Sequence, residues 1–217
     1  MKDLFYTILI KSFEHLELAF LALFIAMIIA IPLGIILAKS NLKCLSSATI
    51  RGFSVIQTIP GLALIALIIV FLTCIRPIFP LPTTGFLPAI IILVLYAISP
   101  LLSNTYTGIK QVPNTMIEVA QAMGMKSKQV LFWVEIPLSL PVILAGIKLA
   151  LVWTIGMVTL TSLVGSGGLG DLIIQGLRTM QISLVLAGTV PAAIMAILFD
   201  MLFDRLGKWL VPYQSLM

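Results

Sequence analysis

One run of the sequence has a spacing that is associated with a known chemistry, the glycine-rich GSGGLG at residues 165–170. It matches the G-x-G-x-x-G pattern of dinucleotide sites, which needs a strand before it, a helix after it and an acidic residue about 20 positions further on. Here an apolar, membrane-like run comes first, Asp171 follows at once, and no Lys-Ser/Thr pair completes a phosphate-binding loop. The motif therefore favours a flexible turn, in which glycines permit positive φ and close helix approach. The alternative is a hinge or outer gate of a pathway, formed by Gly165, Gly167, Gly168 and Gly170.

The other polar residues do not form a catalytic or metal-binding group. His15 is the only histidine, and its neighbours Glu14 and Glu17 are not at metal-ligand spacing. No nucleophile–base arrangement or carboxylate pair is present, so we expect no catalytic residues, no metal site and no cofactor. Cys44 and Cys74 flank one apolar run, which as a straight helix would separate them by about 45 Å, too far for a disulfide.

The composition indicates a protein of the lipid bilayer. The 217 residues are 60% hydrophobic and 10% charged, with a mean hydropathy of +1.19. A soluble domain carries about 25% charged residues. The net charge of +5 comes from side chains at the ends of apolar runs, without a basic patch interleaved with aromatics, so no nucleic-acid partner is expected. We therefore predict an all-α, polytopic integral membrane protein.

Charge-free runs predict five spans within a single transmembrane domain over residues 1–217. Each is long enough for a hydrocarbon core of about 30 Å. Between Arg76 and Lys110 lie 33 uncharged residues, which a proline-rich loop at 77–85, PIFPLPTTG, divides. The predicted spans are residues 18–38, 52–75, 86–104, 138–164 and 182–203. No cleavage site follows the first of them, so it is predicted to be retained.

The distribution of lysine and arginine predicts the orientation, because cytoplasmic segments carry an excess of both. One side of the topology holds eight: Lys39, Lys43, Arg51, Lys110, Lys126, Lys128, Arg205 and Lys208. The other side holds four: Lys2, Lys11, Arg76 and Arg178. We therefore expect the N-terminus outside and the C-terminus in the cytoplasm. Residues 1–17 combine aromatic and charged side chains, which predicts an amphipathic helix on the outer interface.

The second predicted span contains a proline and a glycine, in QTIPGLAL at residues 57–64. Pro60 removes a helical hydrogen bond and is expected to kink the helix. Kinks are common in membrane helices, so simple packing is one interpretation. In the other, Gln57 and the backbone around Pro60 and Gly61 face a permeation path.

Two further features of the spans have alternative interpretations. Lys148 lies within the fourth span, where an ionisable residue is a functional candidate, although its stem could also snorkel to the interface or serve a structural role. The aromatics Tyr96, Tyr106 and Trp153 could stack on a cation, although such residues are more often packing groups or interface anchors.

A polar insert interrupts the apolar chain at residues 118–137, EVAQAMGMKSKQVLFWVEIP. Residues 118–123 can form a short helix, Gly124 permits a sharp turn, and residues 126–135 can form a second helix that ends at Pro137. The charge count places this insert, about residues 110–137, in the cytoplasm. A short helix with a small-residue face can dock in a groove of a cytoplasmic partner.

The spacing of this insert resembles the E-A-A-x3-G-x9-I-x-L-P coupling loop of the membrane subunits of bacterial ATP-binding-cassette importers. The matching positions are Glu118, Ala120, Gly124, Val134, Ile136 and Pro137, with Val119, Val134 and Ile136 as conservative departures. Together with TYTGI at 105–109 and GSGGLGDLI at 165–173, the chain from about residue 15 to residue 207 resembles the osmoprotectant branch, the glycine betaine/carnitine/choline permeases.

The resemblance implies a type I importer-like permease of the bacterial inner membrane. It also implies that a cytoplasmic partner ATPase hydrolyses ATP, that a separate extracellular or periplasmic binding protein delivers the solute, and that this chain is not an enzyme. The chain has no internal repeat, so a second permease subunit is expected, as a homodimer or a heterodimer.

Two alternatives remain open. One keeps the class but changes the cargo to an amino acid, a methionine-like solute or a thiol-histidine betaine. The other is a secondary transporter or channel without an ATPase. The predicted spans argue against the latter, because among Asp, Glu and His they contain only Asp200.

Overall fold

The computed structural model describes residues 2–210, which are almost entirely helical. Its α-helices are α1 Lys2–Lys39, α2 Lys43–Thr58, α3 Gly61–Ile75, α4 Phe86–Lys110, α5 Asn114–Ala122, α6 Ser127–Val130, α7 Ile136–Thr161, α8 Leu169–Thr179 and α9 Ile182–Leu210. A π-helical turn, Leu131–Glu135, joins α6 to α7, and a 3₁₀ turn, Ser162–Val164, follows α7.

The core lies where α1, α4 and α7 pack together. On α1 an alanine stripe is fully buried, at residues 19, 22, 26 and 30. Small residues at this helical spacing let neighbouring backbones approach closely, which is how membrane helices gain packing without a hydrophobic driving force. Glycines also let α1 and α7 approach α4 closely. A Cβ at Gly34 of α1 would lie 2.8 Å from Cβ of Thr105, and one at Gly146 of α7 would lie 2.6 Å from Cβ of Asn104.

We name the two ends of the bundle after Lys11 and Lys39, two lysines of α1. The Lys11 end holds Lys11, Glu14 and the glycine-rich loop, and the Lys39 end holds Lys39 and the helices α5 and α6. The two lysines are 28 positions apart in α1, which is about 42 Å of helix. At the Lys11 end the N–H of Gly85, just before α4, donates to the carbonyl oxygen of Val164, 2.6 Å away. Since α1 also begins at the Lys11 end and ends at the Lys39 end, α1 and α4 run parallel.

The segment between α1 and α4 is bent rather than straight. Its helices α2 and α3 meet at an angle of 108° across a two-residue break, Ile59–Pro60. Because α1 ends at the Lys39 end and α4 begins at the Lys11 end, the bent pair makes one net crossing. With the four long apolar helices, five crossings result, and the predicted all-α membrane architecture is confirmed.

The kink that Pro60 predicts is therefore a full break, and the predicted span 52–75 is not one straight helix. Proline lacks the N–H that would continue α2, and Pro60 is the residue immediately before α3. The estimate of about 45 Å between Cys44 and Cys74 assumed a straight helix and does not apply. Both cysteines are free and exposed.

The N-terminal region differs from the expectation of a separate interfacial helix at 1–17 followed by a span at 18–38. Both belong to one continuous helix, Lys2–Lys39. No glycine or proline lies near residue 17 to interrupt it. Its polar residues also have partners inside the bundle: the ring Nε2 of His15, which is fully buried, lies 3.0 Å from the carbonyl oxygen of Ile155.

Candidate coupling and pathway sites

The predicted turn at Gly124 is present and ends α5 in a Schellman motif. The N–H of Gly124 donates to the carbonyl oxygen of Gln121 at 2.9 Å, and the N–H of Met125 donates to that of Ala120 at 3.1 Å. Gly124 has φ +86°, a conformation that residues with a Cβ rarely adopt. The glycine therefore redirects the chain from α5 into α6, and α5 packs back against α6 and the π-helical turn.

The outer surface of this loop is formed by exposed apolar side chains beside Glu118, which is also exposed. These side chains are Met116, Val119, Met123, Phe132 and Trp133, of which Met123 and Trp133 are each 75% exposed. Ala120 faces the other way and is only 5% exposed. Its small side chain thus serves contacts within the loop, whereas Glu118 and the five apolar side chains are accessible to a partner. We call these six residues the coupling face.

The second helix of the insert does not end at Pro137 as the sequence predicts. Residues 127–161 form one helical rod, with the π-helical turn at Leu131–Glu135 inside it. A proline ring clashes with the carbonyl four residues earlier in a regular α-helix, and the wider π turn lies just where that clash would occur. Val134 and Ile136 are half-buried in this rod, whereas Pro137 is exposed. The insert is therefore continuous with α7.

No local pattern in the sequence indicates that Glu135 is buried. Its side chain is 1% exposed and pairs with Lys39, whose Nζ lies 2.6 Å from Oε1. A buried carboxylate needs such a partner, since desolvation otherwise penalises the charge. The contact could not be inferred locally, because 96 residues separate the two positions.

The break at Pro60 lies beside α4 and α7. The amide of Gln57 is 3.5 Å from the carbonyl oxygen of Tyr96. A Cβ at Gly61 would lie 3.0 Å from both Cδ1 of Leu160 and Sδ of Met157. The three predicted pathway residues Gln57, Pro60 and Gly61 are thus brought together at the bend, which contacts α4 and α7.

Lys148 lies near the middle of α7 and bridges it to α9. Its Nζ lies 2.8 Å from Oδ1 of Asp200 and 2.7 Å from Oδ1 of Asp204. The three side chains line an open cavity of about 520 Å³ beside Asn104. The cation is therefore compensated by two carboxylates, an arrangement that favours the structural interpretation of Lys148 over a role in the pathway.

The glycine-rich loop connects α7 and α8 at the Lys11 end. Gly165, Gly167 and Gly168 all have positive φ, between 79° and 88°. Oε2 of Glu14 accepts a hydrogen bond from the N–H of Gly168 at 3.0 Å. Glu14 also pairs with Lys11 at 2.9 Å, and Lys11 pairs with Asp171 at 2.8 Å. The loop is thus held by α1.

Gly170 allows the close approach of α8 to the end of α7. A Cβ there would overlap the carbonyl oxygen of Thr159 and the hydroxyl of Ser162. The features that the sequence predicted for a turn, positive φ and close helix approach, are both present. The hinge or gate role of these glycines stays a prediction.

Comparison with known proteins assigns the architecture to a family. Residues 30–215 match the family described as "Binding-protein-dependent transport system inner membrane component". The chain belongs to this family. Among the family's named proteins, the carnitine transport permease protein OpuCB of Listeria monocytogenes is 38% identical over 207 residues, which are 95% of this chain and 89% of that protein.

Two further relatives of this inner membrane component have similar coverage. The glycine betaine/carnitine/choline transport system permease protein OpuCB of Bacillus subtilis is 39% identical over 89% of this chain and 83% of its own length. The osmoprotectant import permease protein OsmW of Salmonella typhimurium is 36% identical over 93% and 90%. The resemblance noted in the sequence is confirmed.

Solved structures share the fold of this permease component. An inward-facing structure of the MetNI methionine ABC transporter gives a TM-score of 0.81 at 23% identity, over 97% of this chain and 99% of that one. An amino acid ABC transporter crystallised with histidines gives 0.78 at 18% identity, over 96% of each chain. The predicted importer-permease fold is therefore confirmed.

Proposed function

We propose that this chain is the membrane-spanning permease subunit of an ATP-driven, binding-protein-dependent importer for quaternary ammonium osmoprotectants. The cargo is supported by the relatives, which are named for carnitine, glycine betaine and choline. The single observation that carries the transport mechanism is the coupling face, the exposed apolar side chains of a loop in which the Gly124 turn packs α5 against α6 and the π-helical turn. Apolar side chains exposed on a polar loop are typical of a protein-binding surface.

The Lys39 end faces the cytoplasm in this proposal. The side chains of Lys110, Lys126 and Lys128 belong to this end, which fits the positive-inside rule. Since α1 begins at the Lys11 end, and α9 begins beside α8 at that end and runs away from it, the N-terminus lies outside and the C-terminus inside. The Lys11 end then receives the solute from a separate binding protein.

Coupling follows from the connections of the loop. An ATPase bound to the coupling face moves α5, which packs on α6 and the π-helical turn. The turn continues into α7 and is tied to α1 through Glu135 and Lys39. Closure of the ATPase dimer would therefore tilt α7 and α1 together, as expected for alternation between inward-open and outward-open states. ATP hydrolysis takes place in the partner, and a second permease subunit completes the pathway.

Two measurements test the two parts of the proposal. In the first, the permease is purified with its candidate ATPase as Gly124→Arg and as Gly207→Arg, a matched control whose Cβ position is also open at the Lys39 end. We expect only Gly124→Arg to lose the ATPase. Equal recovery of the ATPase with both variants would contradict the assignment of the coupling loop.

The second measurement addresses the cargo. Proteoliposomes that contain the complete transporter are supplied with glycine betaine, choline, carnitine, methionine and histidine in turn. We expect ATP-dependent uptake of one or more of the three quaternary ammonium solutes and none of the two amino acids. Uptake of an amino acid alone would leave the coupling mechanism intact and overturn the cargo.

A further inference from the structure

Two aromatic rings of different helices meet at one wall of the bundle. The ring centroids of Tyr96 on α4 and Trp153 on α7 are 6.3 Å apart, with an angle of 51° between the ring planes. Trp153 is 39% exposed, so part of its indole surface is not covered by neighbouring side chains. The pair forms a wedge that lines a cavity of about 320 Å³, which opens on the face of α7 that carries Gly156. A Cβ at Gly156 would meet no atom within 4 Å.

The wedge lies near the middle of the bundle along its axis. Tyr96 is 10 residues after the first residue of α4, about 15 Å from that end of the helix. Trp153 is 8 residues before the last residue of α7, about 12 Å from its end. Both helix ends belong to the Lys11 end, so the rings lie at similar depth. Substrate sites of membrane transporters are typically found near the bilayer midplane.

The broken segment between α2 and α3 lies beside residues that line this cavity. Met157 and Leu160 line it and also contact Gly61 at the start of α3, while the side chain of Gln57 reaches the backbone of Tyr96. Non-helical backbone at membrane depth is tolerated where protein covers it or where it borders a cavity. The break and the aromatic wedge therefore belong to one local structure.

The chemistry of the cavity wall suits one class of solute. Its lining residues are aromatic, aliphatic, thioether or glycine and carry no charge. Aromatic faces attract a quaternary ammonium group through their quadrupole. A carboxylate would hold the cation more strongly, whereas passage needs binding that is weak enough for release. An uncharged wall also does not repel the carboxylate of a zwitterion such as a betaine.

We infer that Tyr96 and Trp153 form a transient cation–π station for the quaternary ammonium group of the cargo as it passes through the membrane. This inference rests on the proposed function. It assigns part of the cargo preference to the permease, in addition to the binding protein that delivers the solute.

Fluorination of Trp153 provides the decisive test. Fluorine reduces the negative electrostatic potential of the indole face, which attracts the cation, and leaves the shape of the ring almost unchanged. Mono-, di- and trifluorotryptophan are introduced at position 153 alone, and the complete transporter is reconstituted with saturating choline-loaded binding protein. We expect uptake per transporter to fall stepwise with fluorine number. Trp153→Leu should lower uptake about two- to thirty-fold, the range expected for one cation–π contact. Uptake that does not change along the fluorine series in well-folded protein would overturn the inference.

Three further variants test the inference without requiring that a protein substituted at Trp153 folds correctly. Tyr96→Phe, which retains a ring, should transport like the wild type, whereas Tyr96→Leu should not. Trp209→Leu is the matched aromatic control, since Trp209 is 77% exposed on α9 and is not part of the wedge. If the wild type imports only an amino acid, the proposed function fails first. If it imports choline while Tyr96→Leu and Trp153→Leu transport normally, only the inference fails.

Discussion

The Nζ of Lys39 lies 2.6 Å from Oε1 of Glu135, so the last turn of α1 is joined to the π-helical turn before α7. The carboxylate is 1% exposed and the lysine 45% exposed. Among the described residues, Oε2 of Glu135 has no hydrogen-bond partner. Lys39 is therefore the group that compensates this buried charge, and water reaches the pair only from the lysine side.

Substitution of this lysine tests the connection. Lys39→Met should lower the thermal midpoint of the purified protein, because it leaves a buried carboxylate without a cation, at a cost of about 1–3 kcal/mol. The partly exposed lysine favours the lower part of that range. Lys39→Met combined with Glu135→Gln should recover part of the loss. Lys208→Met, an exposed lysine of α9, is the control, and equal midpoints for it and Lys39→Met would contradict the role of the pair.

Charge reversal tests whether Lys148 joins α7 to α9. Lys148→Glu brings three carboxylates together, so we expect a lower thermal midpoint, and addition of Asp204→Lys should restore part of it. The contribution of each partly exposed pair is small, about 1 kcal/mol or less, and should shrink at high salt. Lys148→Met should retain transport per folded transporter. Loss of transport at an unchanged midpoint would instead support the pathway role.

The Schellman turn at Gly124 predicts how strongly different substitutions of this glycine weaken co-purification of the ATPase. A Cβ there meets no atom within 4 Å, so the cost comes from the backbone alone. Asparagine tolerates positive φ and should retain ATPase co-purification, whereas Gly124→Ala should weaken it, at a backbone cost of about 1–2 kcal/mol. Gly124→Val should weaken it further. Gly52→Ala is the control, because Gly52 lies in a helix with equally open space. Equal recovery with Asn and Val would show that this φ does not matter for docking.

The close contact of α8 with α7 predicts that one methyl group added at Gly170 lowers the stability of the protein. Gly170→Ala would place a carbon against the carbonyl oxygen of Thr159 and the hydroxyl of Ser162, so the helices must separate. We expect a loss of about 1–3 kcal/mol, the usual cost of overpacking, measured as a lower thermal midpoint. Gly207→Ala, which meets open space in α9, should leave the midpoint unchanged or raise it slightly. If both glycines tolerated alanine equally well, the close approach at Gly170 would not limit stability.

The membrane architecture could be predicted because charges are costly in a bilayer and therefore mark the ends of spans. The predicted spans 86–104 and 182–203 lie within the observed helices α4 and α9. The Gly124 turn was also predictable, since its signal is local: a short amphipathic helix followed by glycine. Proline signals were less certain. Pro60 breaks its segment fully, while Pro137 is accommodated inside a helix.

The features that could not be predicted all depend on distant partners. Glu14 and His15 appeared to be surface residues of an interfacial helix, yet they contact Gly168 and Ile155. Glu135 was predicted only as the last residue of a short helix, and its burial depends on Lys39, which the fold places against it. Tyr96 and Trp153 are separate aromatics in the sequence, and only the packing of α4 on α7 makes them a pair.

At the π-helical turn Leu131–Glu135, the number of residues matters independently of which residues they are, because it sets a rotation along the rod. A single residue corresponds to about 100° of rotation in an α-helix. Deletion of one residue within the turn could therefore leave the rod helical and the membrane core intact. It would nonetheless rotate everything before the turn, including α5 and its apolar side chains, by about a quarter of a circle relative to α7. An insertion or deletion here would re-aim the coupling face toward a different partner geometry in one evolutionary step.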